Sequence, residues 1–547
     1  MNKKIFLSVL LFVLFSTRFD SSLTHASSDW APSGYSKSIV ASSSTVFVPD
    51  NYTTIQDAIN NANEGDTIFV RAGTYYEHVV VDKALSLLGE NKHNTIIDGS
   101  GNEIVVACMH ACNNITLSGF TMQNGELGIF LWGSSNSNFT DNIALNNSYG
   151  IYFYYSDYNL VTGNNSTNNT QYGIYLVGSS HNTFTSNTVS SNDGQGIYLD
   201  HSGNNVFSGN VVSNNSYGFY VGDSDNNVFS GNVVSNNSYG IYFYYSDHNL
   251  VTGNNSTNNT QYGIYLVGSS SNNRIFHNNF ISNAETQSSV GSLNSWDNGV
   301  EGNYWSDYGG TDANWDGIGD TPYSTGEKNK DEYPLMSTFL QFNIATRDQP
   351  YKIGVVCDST ISNLQYLYDP DSKTNVVIFK VNGTVGENFC RISIPHALTE
   401  PPYAVTVDRN PPSHFETVYT NGTHTWLYFT YNRTEHEVVI MHTLYLEQLV
   451  LFQWATFGLT VIIVVLLTVS INYYRKFHKQ KKIIQAYERE LESFPFSHPE
   501  RARALFIKDA IKRKEKIEKF KRKYGIKIEP ASTLEDLMEK LGIQKEG

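Results

Sequence analysis

A three-residue phrase governs what this chain can become. Gly128-Ile129-Phe130 returns as Gly150-Ile151-Tyr152, Gly173-Ile174-Tyr175, Gly196-Ile197-Tyr198, Gly218-Phe219-Tyr220, Gly240-Ile241-Tyr242 and Gly263-Ile264-Tyr265, at intervals of 22 or 23 residues. A fixed period of this size marks a solenoid, in which each repeat buries its apolar face only by stacking on its neighbours. Residues 146–180 recur at 236–270 with a single change, Tyr158 to His248.

Inside each repeat the apolar pattern has period two. In Ile151-Tyr152-Phe153-Tyr154 the alternation predicts a strand with Ile151 and Phe153 inward and Tyr152 and Tyr154 outward. Shorter runs follow, such as Asn205-Val206-Phe207-Ser208 and Val211-Val212, separated by residues that accept turn conformations. Two or three strands and no helix per repeat predict one coil of a parallel β-helix, right-handed by the general chirality of parallel crossovers. Equal places in the phrase then become columns on a stack with a spacing of about 4.8 Å. An Asn column is expected through Asn142, Asn164, Asn187, Asn210, Asn232, Asn254 and Asn279, and a Ser column through Ser134, Ser156, Ser179, Ser202, Ser224, Ser246 and Ser269. Both read as turn architecture. An outward aromatic column runs through Phe130, Tyr152, Tyr175, Tyr198, Tyr220, Tyr242 and Tyr265, widened by Trp132, Tyr154 and Tyr244.

The flanks divide the chain further. Residues 1–26, with Lys3-Lys4 ahead of an apolar run and Ala26 at the end, read as a secretory signal peptide, and 27–44 as a Ser-rich leader. Residues 45–337 are assigned to the β-helix. At its start Ile55, Ala58, Ile59 and Ala62 share one helical face, a cap for an end that would otherwise expose core and strand edges. Residues 338–445, with strand runs such as Val376-Val377-Ile378-Phe379 between Pro401-Pro402 and Pro411-Pro412, predict a small β-sandwich. Cys357 and Cys390 within it are candidates for a disulfide outside the cell. Residues 449–471 are uncharged, apolar and long enough to cross a bilayer. Arg475, Lys476, Lys479, Lys481 and Lys482 follow, which puts the helical tail 472–547 in the cytoplasm and the β-helix outside. Charge fits that split: residues 473–547 hold 20 of the 37 Lys and Arg but 12 of the 52 Asp and Glu, a net of +8 against −23 for the rest. Acceptor sequons at Asn114, Asn214, Asn382, Asn421 and Asn432 suit a glycosylated exterior.

Ile55-Gln56-Asp57-Ala58-Ile59, Gly65-Asp66-Thr67-Ile68 and Gly73-Thr74-Tyr75-Tyr76-Glu77, together with the Asn-rich coils and Gly302-Asn303-Tyr304-Trp305-Ser306-Asp307-Tyr308, resemble NosD-type and other carbohydrate-associated β-helix proteins of archaeal-like cell surfaces. The resemblance implies the fold strongly and an activity weakly, because one fold hosts many functions. Its copper-maturation role would require soft ligands, and Cys108-Met109-His110-Ala111-Cys112 is the one candidate cluster.

Residues 311–320 place oxygen side chains at Asp312, Asn314, Asp316 and Asp320 around Gly317. Hard oxygen donors at alternate positions suit Ca²⁺, although the closing Glu of an EF-hand loop is missing, and an acidic turn without metal remains the other reading. Between Lys92 and Arg274 there is no Lys or Arg. That disfavours an anionic polymer and nucleic acid, whose phosphates want basic side chains. Asp157, Asp225 and Asp247 share one turn position, whereas Asp200-His201 breaks the pattern and is the candidate general base. The aromatic column is the more suggestive feature. Tyr152, Tyr154, Tyr175, Tyr198, Tyr220, Tyr242, Tyr244 and Tyr265 offer apolar faces and hydroxyls to sugar rings, or merely a ladder that stabilises the sheet. The expected function is glycan binding or a structural role at a membrane-anchored cell surface. A glycan-active hydrolase and a copper-delivery factor are the alternatives.

Overall fold

The computed structural model describes residues 43–443 apart from 102, 110–111, 285–287, 290–291, 327, 370–373, 384–385 and 433, and in addition 462–475, 478, 482, 512 and 519. Residues 1–445 form one compact unit and 446–547 a second.

Three parallel sheets of 11, 10 and 11 strands run the length of the coils. Each coil visits all three in turn, as in Ile143–Leu145, Tyr149–Tyr154 and Leu160–Thr162. Strands pair with the equivalent strand one coil on, so Ile129, Ile151, Ile174 and Ile197 are neighbours in register. The alternation is real: Ile151 and Phe153 are fully buried, while Tyr152 and Tyr154 are half-buried on the outer face. Inside, Phe184, Phe207 and Phe229 stack with centroids 4.9 and 5.3 Å apart and planes within 9°.

The expected amide column exists, and two more accompany it. In Asn142–Asn164–Asn187–Asn210–Asn232–Asn254 each Asn Oδ1 accepts from the backbone N–H and side-chain amide of the Asn one coil before, at 2.8–3.1 Å. The next member is Asn278, not Asn279, and the Ser column passes from Ser246 to Ser270, not Ser269. The buried anchor of the strand Arg274–Phe276 is Ile275 and not Phe276, so the Asn three residues on is Asn278, while the Ser step spans 24 residues where earlier ones span 22 or 23. A second ladder runs from Asn147 through Asn169, Asn192, Asn215, Asn237 and Asn259, and a third from Asn159 through Asn182, Asn205, Asn227, Asn249 and Asn273. These buried corners meet the requirement that buried polar groups be paired.

The repeated Gly has a steric cause. A Cβ at Gly196 would sit 2.7 Å from Val212 Cγ1 and 2.8 Å from Asn215 Nδ2. Only a residue without a side chain lets the second Asn ladder pass so close to the long strand.

At the N-terminal end the helix Ile55–Asn61 buries Ile55, Ala58 and Ile59. Thr54 caps it by accepting from the Asp57 N–H, and the Glu77 carboxylate accepts from the N–H groups of Ile55 and Gln56 at 3.0 Å. At the other end a five-stranded and a four-stranded antiparallel sheet enclose a core of their own, with Ile353, Val377, Phe379, Ile392, Leu427 and Phe429 fully buried. Two facing antiparallel sheets agree in part with the small sandwich expected for 338–445. Cys357 and Cys390 lie opposite each other on neighbouring strands, both buried, and both are free thiols: the structure supplies their adjacency, not the bond.

The membrane-span expectation falls largely outside the described residues, as do the signal peptide, nearly all of the leader and most of the tail. Residues 462–475 are helical, and Ile462, Val464 and Leu466 are exposed. Among the described residues no helix is long and apolar enough to cross a membrane.

Candidate functional site

The middle sheet carries the six-residue strands, and its outer face carries the tyrosines. Phe130, Tyr152, Tyr175, Tyr198, Tyr220, Tyr242 and Tyr265 are consecutive register partners. The rings of Tyr152, Tyr175 and Tyr198 lie 4.8 Å apart with planes at 19°, close to the coil spacing itself. A second column, missed in the sequence reading, stands beside it: Tyr149, Tyr172, Tyr217 and Tyr239, with Gln195 in the middle coil. Its signal was the Tyr that precedes Gly in most repeats. Tyr217 and Tyr239 stack at 4.8 Å and 7°, and Tyr149 packs 5.8 Å from Tyr152. The result is a paved surface two rings wide.

Burial pushes the phenols of Tyr152, Tyr198, Tyr220 and Tyr242 up to about 12, with neighbouring phenols adding to it and, at Tyr198, the Asp200 carboxylate ahead of them. Tyr175 moves the same way, first through burial and then through the Asp200 carboxylate. The hydroxyls therefore stay protonated at neutral pH and can both donate and accept.

Asp200 and His201 lie at the edge of this pavement. His201 Nδ1 is 2.6 Å from Asp200 Oδ1, and that hydrogen bond holds the imidazole above its ordinary range. Asp223, one coil on, joins them: one ligand atom from each of Asp200, His201 and Asp223 falls within 4.8 Å of the others. Among the described residues this is the one such convergence of three His, Cys, Asp or Glu side chains. Asp157, Asp225 and Asp247 behave as turn residues, accepting at 2.6–2.7 Å from backbone N–H groups of the next coil.

Asp312, Asp316 and Asp320 turn their carboxylates on their own loop, and Asn314 enters it as an amide donor. Asp312 accepts from the Asp316 and Gly317 N–H groups, Asp320 from Ala313 N–H, and Asp316 from Ile318 N–H and the Asn314 amide. The loop also meets the sandwich, since Arg391 Nη1 donates to the Asp316 carbonyl at 2.6 Å. Arg391 in turn donates to Glu301, 2.7 Å away, whose other oxygen is 3.0 Å from His277 Nε2. Burial alone would raise the Glu301 carboxyl, but the His277 hydrogen bond and the Arg391 charge hold it down to about 2. Neither Arg391 nor Glu301 stood out in the sequence, because ion partners 90 residues apart leave no local pattern.

These features define a class: a parallel β-helix protein with a tyrosine-paved face and a polar cluster at its edge. Residues 59–229 and 171–310 match the family model described as "Periplasmic copper-binding protein (NosD)". Together with the parallel coils, this match supports a NosD-type right-handed β-helix protein. It is 45% identical over 62 residues to the "Probable ABC transporter binding protein NosD" of Stutzerimonas stutzeri and, to the same degree, to that of Pseudomonas aeruginosa; the match spans 11% of this chain and 14% of each relative's length. Among solved structures, the A-module of the mannuronan C-5 epimerase AlgE6 of Azotobacter vinelandii superposes with a TM-score of 0.36 at 14% identity, covering 44% of this chain and 92% of that one. The tailspike gp49 of the Acinetobacter baumannii bacteriophage Fri1, a capsular polysaccharide depolymerase, gives 0.34 at 10%, covering 73% and 83%.

The copper in that family description can be tested against the donors. Cys108 is fully buried, burial drives its thiol far above the ordinary range, and Cys112 is pushed up to about 11. Met122 is sealed in the core, and His110 lies outside the described residues. The exposed convergence at Asp200, His201 and Asp223 has one imidazole, two carboxylates and no sulfur. That exposed cluster does not fit a soft copper(I) centre, and of the Cys108–Cys112 segment the half-buried Met109 and the two buried thiols are described.

Proposed function

We propose that this protein is a membrane-anchored, cell-surface β-helix whose tyrosine-paved sheet binds or organises extracellular glycans. The observation that carries the reading is the double column of half-buried tyrosines in register on one face, with protonated hydroxyls at neutral pH. Flat aromatic faces meet the C–H surfaces of sugar rings, and the phenols reach their hydroxyls. Anchorage rests on the apolar run 449–471 and the basic residues after it. The sequon residues Asn114, Asn214, Asn382, Asn421 and Asn432 are all exposed, as an exterior setting requires. Calcium at the 312–320 loop and a Cys357–Cys390 disulfide belong to the same exterior reading. A chelator that lowers the melting temperature supports the first. Thiol titration of the unfolded chain decides the second.

Hydrolysis is the second reading. It is favoured by the convergence of Asp200, His201 and Asp223 beside the tyrosines, since glycoside cleavage uses paired carboxylates. Copper delivery draws no support from the donor set. Incubating the full-length protein with a panel of neutral and acidic glycans separates these. Retention without new reducing ends is the expected result, product release transfers the case to hydrolysis, and no retention at all ends the carbohydrate reading.

A further inference from the structure

We infer that the tyrosine face holds one bounded trough, shaped for a short uncharged oligosaccharide and hostile to uronic acids. This deepens the carbohydrate reading above and rests on it.

Two adjacent columns carry the inference. Along the coils, the register position at the end of the long strand is occupied by Trp132, Tyr154, Val177, Asp200, Gly222, Tyr244 and Val267. The residue that follows turns the corner with positive φ, and it runs Gly133, Tyr155, Gly178, His201, Asp223, Tyr245 and Gly268. Aromatic pairs therefore stand at two coils, Tyr154 with Tyr155 and Tyr244 with Tyr245, each edge to face with centroids 4.5 and 4.4 Å apart. The three coils between them carry Val177-Gly178, Asp200-His201 and Gly222-Asp223, with no Tyr, Trp or Phe in either column. Four coil steps of about 4.8 Å put the two pairs about 19 Å apart.

Each pair packs on itself, and the Tyr245 ring lies over Gly268 of the following coil, yet the outer tyrosine of each pair stays largely open to solvent. Tyr155 is 59% exposed and Tyr245 48%. Both adopt a conformation that costs a bulky residue free energy, Tyr155 between corners held by Gly133 and Gly178 and Tyr245 between Asp223 and Gly268. Tyr155 leans over Gly178, where a Cβ would come within 2.6 Å of its ring, so the small residue makes room for an aromatic wall. On the floor lie Tyr175, Tyr198 and Tyr220. At the centre Asp200, His201 and Asp223 converge within 4.8 Å.

The ligand class follows from chemistry and charge. Aromatic walls suit sugar rings, and carboxylates accept hydrogen bonds from vicinal hydroxyls. A uronate placed there would face two carboxylates. The His201 imidazole is already bonded to Asp200, and no Lys or Arg exists between Lys92 and Arg274 to offset the repulsion.

The test is calorimetric titration of the full-length protein, in chelator, with length series of neutral gluco-, manno- and galacto-oligosaccharides and of uronic acid oligomers. Affinity for a neutral series should rise with length until both aromatic pairs are reached and then level off. Tyr155→Gly and Tyr245→Gly should each weaken it about tenfold, a loss of about 1.4 kcal/mol. Gly holds this positive-φ corner at Gly133, Gly178 and Gly268, so these variants keep the fold. Asp223→Asn should raise uronate binding severalfold. If neutral oligomers bind and both Gly variants bind them equally well, or if uronates bind the unaltered protein as tightly, the trough is overturned while the tyrosine face stands. If no glycan of either kind binds, both fall.

Discussion

Arg391 and Glu301 show how much a single buried contact decides. Both are almost wholly buried, and their bond joins the last coils to a central strand of the sandwich. Arg391→Leu leaves the buried Glu301 charge with His277 as its remaining partner and should cost up to about 3–5 kcal/mol, measured by denaturant unfolding. The same carboxylate sets an acid limit. Its folded pKa of about 2 lies below the ordinary 4.5, so its contribution is full above 4.5 and is lost as pH falls towards 2. Glu301→Gln should flatten that part of the stability profile; an unchanged profile would remove Glu301 from the account. Gly196 is the second case. Gly196→Ala drives a methyl into Val212 and Asn215 and should cost about 1–3 kcal/mol, with the melting temperature as the readout.

At the scale of elements, the strand face and the ladders are the units that matter. The period-two run at 151–154 gave the inward and outward sides of the long strand correctly, because burial on one face leaves the pattern in the letters. The aromatic column was legible for the same reason. The second tyrosine column, the second and third Asn ladders and the corner pairs were not drawn out, because each needs the register between coils and not the pattern within one. The shift from Asn279 to Asn278 shows the limit: in Arg274-Ile275-Phe276 two adjacent apolar residues offer themselves as anchor, and only burial shows that Ile275 is the inward one. The Asp-rich loop was visible as acid spacing, but its contact with Arg391 depends on how the chain returns from a distant strand. The tyrosine face has its own signature in titration. Phenols raised to about 12 should ionise well after exposed ones, by phenolate absorbance. Because these folded values lie above the ordinary 10, the stability they contribute should be present below pH 10 and disappear as pH rises towards 12. A single phenolate transition near 10 would contradict the packing of the columns.

For the whole molecule, charge and aromatic placement point to the same division of labour. The acidic coils and the basic tail differ by sign, which suits a chain with two environments. The tyrosines of the coils and those of the sandwich also differ, and this provides an internal control. Hydroxyl-radical footprinting of the full-length protein, with and without a retained glycan, reads each tyrosine separately. Protection should concentrate on Tyr152, Tyr155, Tyr175, Tyr198, Tyr220, Tyr242, Tyr244 and Tyr245, while the exposed Tyr76 and Tyr368 oxidise as before. Protection at Tyr368 and Tyr419 instead, or an even loss across all tyrosines, would mean that the paved face of the coils is not where carbohydrate meets this protein.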